Sequence, residues 1–142
     1  MKKIVLIYLI GFTVGCSTNP ETFVTQLNGY WEIDEVRVHD GAIRDYNFND
    51  TIDYIELSPD RLSGFRRKLK PNLFGTFETS KNKEDFNITI ENDSLNIYYK
   101  TPFAEWKETV LSATKETLII LNTLNKDVYI YKRYESIDLD NL

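Results

Sequence analysis

The chain has 142 residues, 17 basic and 22 acidic side chains, a formal net charge of −5 and 13% aromatic residues. That length makes one domain with a single sizeable core, and the acidic balance argues against nucleic acid, whose affinity comes largely from neutralised phosphates. One cysteine and one histidine leave no intrachain disulfide and no zinc site of the usual kind.

In chain order, Lys2 and Lys3 precede an apolar run over 4–14, followed by Gly15 and Cys16. Positive start, short apolar stretch and small residue at the cut are the parts of a secretory signal. The run has 11 residues, and crossing the hydrocarbon layer takes about 20, so it is expected to be cleaved rather than to span. Thr13-Val14-Gly15-Cys16-Ser17 resembles the bacterial lipobox. The resemblance implies a signal peptide over 1–15, with Cys16 as first residue of the mature chain, acylated on its sulfur and its new amine with palmitate-type chains. It also implies a lipid anchor in the bacterial cell envelope, at the outer membrane. Cleavage there leaves 127 residues with 15 basic and 22 acidic groups.

Residues 19–28 read as a short helix: Asn19 or Thr18 caps it, Pro20 suits the first helical position, and Phe23 and Leu27 share one face. Gly29 is expected to stop it. Beyond Gly29 the period changes to two. Residues 86–91 alternate apolar and polar, Asn92-Asp93 turns, and 95–99 returns, the pattern of a hairpin. Further strands are expected over 30–37, 52–57, 62–68, 73–79, 106–113, 117–122 and 128–134, separated by Gly, Pro, Asn, Asp and Lys clusters. Short connections make these strands antiparallel neighbours, and such a set hides its edges by closing into a barrel or forming a sandwich. The domain is expected over 16–135, with an acidic tail over 136–142.

The first strand selects the barrel. Leu27-Asn28-Gly29-Tyr30-Trp31, entered from a helix, resembles the Gly-x-Trp opening of the lipocalins and of lipocalin-like bacterial lipoproteins. The resemblance implies an all-β, antiparallel up-and-down barrel of eight or nine strands, closed at one end by the short N-terminal helix. Trp31 would pack in its base beneath a basic residue of the last strand, Arg133 or Lys132, making Gly29, Trp31 and Arg133 its structural motif.

For chemistry the residues offer little. His39 precedes Asp40-Gly41 and reads as a turn residue, and no Gly-x-Ser-x-Gly context accompanies it. Glu35, on the face of Trp31 and Ile33, is the expected buried carboxylate. Asp45, Asn47, Asn49, Thr51, Asp53 and Glu56 follow calcium-loop spacing. However, Asp50 stands where that loop takes glycine, and a polar inter-strand loop is the plainer reading. In 65–70, alternation separates Arg66, Lys68 and Lys70 from Phe65, Arg67 and Leu69. The first face is expected to be solvated, and the second to turn inward, with Arg67 offering its guanidinium to a ligand carboxylate.

The resulting expectation is a non-enzymatic protein without cofactor or metal, binding a small hydrophobic or amphiphilic ligand through Phe65, Arg67, Phe77, Tyr99, Trp106 and Tyr131. The alternative is a filled barrel that docks another envelope protein.

Overall fold

The computed structural model describes residues 19–136. Cys16, the 1–15 leader and tail residues 137–142 lie outside the described residues. Helix α1 (Pro20–Val24) opens the fold, with the Asn19 Oδ1 accepting from the Glu21 N–H at 3.0 Å. It is shorter than the expected 19–28. Thr25 turns its hydroxyl back to the Thr22 carbonyl, a local bond that competes with further helix. The chain then runs through a turn that buries Leu27 beside Phe23 of the helix.

Nine strands follow: β1 (Gly29–Arg37), β2 (Ile43–Asp45), β3 (Ile52–Leu57), β4 (Ser63–Pro71), β5 (Phe77–Glu91), β6 (Ser94–Lys100), β7 (Glu105–Ala113), β8 (Thr117–Asn122) and β9 (Val128–Arg133). All pairings are antiparallel, and β1 pairs β9 to close an eight-stranded meander, with β2 as an additional piece. Closure removes the free edges.

The ninth strand arises because the return from β1 is split. Pairing moves from Glu35↔Asp45 to Trp31↔Asp53, so the outgoing chain advances four residues while the returning one advances eight. The surplus bulges outward over 46–51, held by Asn49 Nδ2 donating to the Ile33 carbonyl at 2.8 Å and to Glu32 Oε1 at 3.1 Å. In turn, the two strands expected over 73–79 and 86–91 are one, β5. The Lys81-Asn82-Lys83 break is a bulge, where pairing slips between Arg67 and Leu69. Asn92 and Asp93 take φ of 49° and 60°, the left-handed pair that a two-residue hairpin turn requires.

The bulged far end of the β4–β5 hairpin leans over the outside of the barrel. Phe77 stacks on Tyr30 at 5.1 Å and meets Tyr134 edge-on. Ile52 and Leu69, paired on the outer face, are buried. The main core fills the base: Leu27, Trp31, Ile55, Phe86, Ile88, Leu95, Ile97, Val110, Leu118 and Ile120 form one cluster with Phe23.

Candidate functional site

The base is organised around Trp31. Its indole N–H donates to the Leu27 carbonyl at 2.8 Å, and the Arg133 guanidinium lies 3.6 Å from the ring centroid, a cation–π contact. Arg133 also donates to the carbonyls of Asn28 (2.7 Å), Gln26 (3.0 Å) and Lys115 (2.9 Å). These bonds tie the end of the helical turn to the β7–β8 connection. Gly29 has φ of +121°, and a Cβ there would fall 2.6 Å from Arg133 Nη1. Its role is to admit the guanidinium, since the helix has already ended at Val24.

At the opposite end the barrel is open, and a cavity of about 340 Å³ is lined by Asp53, Arg66, Lys68, Trp106, Glu108, Asn122, Leu124, Tyr129 and Tyr131 together with Ala104 and Glu105. On its floor Arg66 donates from Nε to Glu84 Oε2 at 2.8 Å and from Nη1 to Glu108 Oε2 at 3.2 Å. Its guanidinium carbon sits 4.6 Å from the Tyr99 ring centroid. Tyr99 stacks on Trp106 at 4.7 Å with the planes 6° apart, and the Trp106 indole N–H reaches Glu108 Oε1 at 3.3 Å. Asp53 is buried beside Lys68, whose Nζ lies 2.7 Å from Oδ1.

This arrangement corrects the reading of the basic run. Arg66 and Lys68 face the interior, while Arg67 and Phe65 are outside, where Arg67 lies 5.6 Å from the Phe65 ring and Phe65 meets Tyr54 edge-on. Phe77 is outside as well. Of the six residues expected to touch a ligand, Trp106 and Tyr131 line the cavity and Tyr99 lies beneath it, whereas Phe65, Arg67 and Phe77 do not reach it. Glu35 also faces out: a bulge between Ile33 and Glu35 puts Val36 inside. The buried carboxylates are instead Asp53 and Glu108, which sequence reasoning missed. A signal was available in Glu108 alternating with Trp106 and Val110 on one strand face.

The calcium spacing does not gather its oxygens. Asp53 turns into the barrel to Lys68, Asn49 binds β1, and Glu56 accepts from the Tyr54 hydroxyl. Among the described residues no group of three or more His, Cys, Asp or Glu is placed to hold a metal. His39 is exposed on the β1–β2 turn, 3.6 Å from Asp127.

Burial pushes the Tyr99 and Tyr131 phenols well above their ordinary range, and Tyr54 is pushed up to about 12, first by its bond to Glu56 and then by burial. A phenol whose pKa rises on folding contributes stability that is complete below about pH 10, the unfolded value, and is lost as pH climbs toward the folded value. In an alkaline titration the ionisation of Tyr99 and Tyr131 should be delayed and appear together with unfolding. A single ordinary ionisation step for all tyrosines in a still-folded protein would contradict this burial.

A closed eight-stranded meander, a helical turn and a Trp–Arg pair at one end, and a half-open cup at the other define a barrel of the lipocalin class. A family model for the lipocalin-like domain matches residues 27–120, and the chain belongs to that family. The match runs from Leu27 into β8, and Arg133 lies beyond it. No curated protein and no solved structure matches the chain.

Proposed function

We propose that this protein binds a small amphiphilic molecule in the cup at the open end of its barrel and does no chemistry on it. The observation that carries the reading is the cup itself: about 340 Å³, aromatic on its walls and polar on its floor. Small-molecule sites combine these features at about 300–1,000 Å³. A larger groove of about 450 Å³ runs on the flank between Phe48, Asn49, Leu73 and Tyr134. Loops and residues 134–136 form much of it, whereas the cup is set in the barrel over the buried Arg66–Glu108 pair, so the cup is the better ligand site. N-phenyl-1-naphthylamine, a neutral apolar fluorophore, should bind saturably at one site per chain. Tyr129→Ala should weaken it about three- to tenfold, the contribution of one aromatic contact. Absence of saturable binding would remove the reading.

We further propose that Cys16 carries the protein on the bacterial envelope membrane. Two residues, Ser17 and Thr18, lie between Cys16 and Asn19, three chain steps with a reach of at most about 11 Å, so the helix-closed base would face the membrane and the cup would open away from it. Cys16→Ser should move the protein from the membrane fraction to the soluble fraction or leave it as precursor, because stable attachment takes more than one acyl chain. Full retention in membranes would place the anchor elsewhere.

A second reading, docking onto another envelope protein, is favoured by one observation. Phe48, Leu73 and Phe74 stand largely exposed beside the flank groove, and clustered exposed apolar side chains mark interaction sites. Phe48→Ser with Phe74→Ser should leave fluorophore binding unchanged if the cup is the functional site.

A further inference from the structure

The charges in the cup differ in how firmly they are held, and that difference specifies the ligand. Arg66 is 13% exposed, grips Glu84 and Glu108, and lies over the Tyr99 ring. A planar guanidinium with two carboxylates already in place has little left to offer an anion. Lys68 is held differently. Its side chain is 60% exposed and its ammonium rests on Asp53, which is only 3% exposed. The contact is a close ion pair rather than an aligned hydrogen bond, and among the described residues no hydrogen-bond donor is aligned on Asp53 Oδ1. A lysine is a compact charge on a flexible stem, and swinging it into water costs little. A carboxylate buried as deeply as Asp53 must keep a cation. Three aromatic side chains, Trp106, Tyr129 and Tyr131, line the same cup, and aromatic faces attract cations.

We propose that the cup selects an organic cation, an amine or quaternary ammonium group on an apolar body, whose charge replaces the Lys68 ammonium on Asp53 while the body rests against the aromatic walls. Lys68 then acts as a resident counterion that the ligand displaces. This rests on the cup being the ligand site, and it reverses the expectation of an anionic ligand held by an arginine. Because the exchange swaps one cation for another, the favourable balance comes from the apolar and aromatic contacts, and removing Lys68 should help the ligand.

The test compares hexyltrimethylammonium, hexyl sulfate and hexanol by calorimetry and by Trp fluorescence, on the wild-type protein, Lys68→Met and Asp53→Asn. The cationic probe should bind about tenfold or more tighter than the sulfate, a difference of about 1.4 kcal/mol. Lys68→Met should tighten the cation further, and Asp53→Asn should abolish the preference. Lys68→Met leaves the buried Asp53 carboxylate without its cation, so it should melt below the wild type and be restabilised by the cationic probe but not by the sulfate, whereas Asp53→Asn removes that charge and should fold. Equal binding of all three probes would overturn the cation preference and leave the cup reading standing. Tighter sulfate binding, or weaker cation binding by Lys68→Met, would also overturn the preference. No binding of any probe would overturn both.

Discussion

Replacing Trp31 with alanine should lower stability by about 3–5 kcal/mol, the range for a large buried aromatic, with a matching fall in the urea midpoint. Trp31 is fully buried: its indole N–H donates to the Leu27 carbonyl, its ring carries Arg133, and it belongs to one core cluster drawn from α1 and from β1, β3 and β5 to β9. The cavity would open at the helix-closed base, where the meander alone cannot seal it. Arg133→Met should cost less, because the Trp31 ring stays covered by an apolar chain and the freed Gln26, Asn28 and Lys115 carbonyls lie near solvent. A midpoint unchanged by Trp31→Ala would contradict this packing.

The second large effect is expected at Arg66. Arg66→Met should destabilise by about 3–5 kcal/mol, because removing one partner of a buried pair leaves an uncompensated charge. That charge is Glu108, whose side chain is 6% exposed. Glu84, half-exposed, can turn to water. The double variant Arg66→Met with Glu108→Leu should recover most of the loss, since an apolar filling of similar volume replaces a buried pair at little cost. Thermal melts of the two variants decide the matter: a double variant no more stable than the single would contradict the charge argument.

These two sites show what could be read from the sequence and what could not. Trp31 was legible because Gly29 and Trp31 stand together at the junction of helix and strand. The strand rhythm was legible where alternation is clean, as over Ile88, Ile90, Leu95 and Ile97. Burial on each face was harder to read, because a bulge inverts every side chain beyond it. The extra residue at Asp34 sends Glu35 outward and Val36 inward. In the basic run the alternation holds, but the face that turns inward is that of Arg66 and Lys68 rather than that of Phe65 and Arg67. The inner face at the mouth is polar, while the outer face is apolar because the β4–β5 hairpin leans over it and covers Leu69 and Ile52. The ionic cluster was out of reach for a different reason. Arg66, Glu84 and Glu108 meet only once β4, β5 and β7 have closed into the barrel, and no local pattern announces contacts spanning 42 residues.

The direct test of the account is to map where a small apolar molecule sits. Amide and indole chemical shifts of the protein titrated with N-phenyl-1-naphthylamine should move at the Trp106 indole, Asn122, Tyr129 and Tyr131, and stay still at Tyr30, Phe65 and Phe77 on the outer face. Shifts concentrated at Phe48, Leu73 and Tyr134, with none in the cup, would contradict the assignment of the barrel mouth as the binding site.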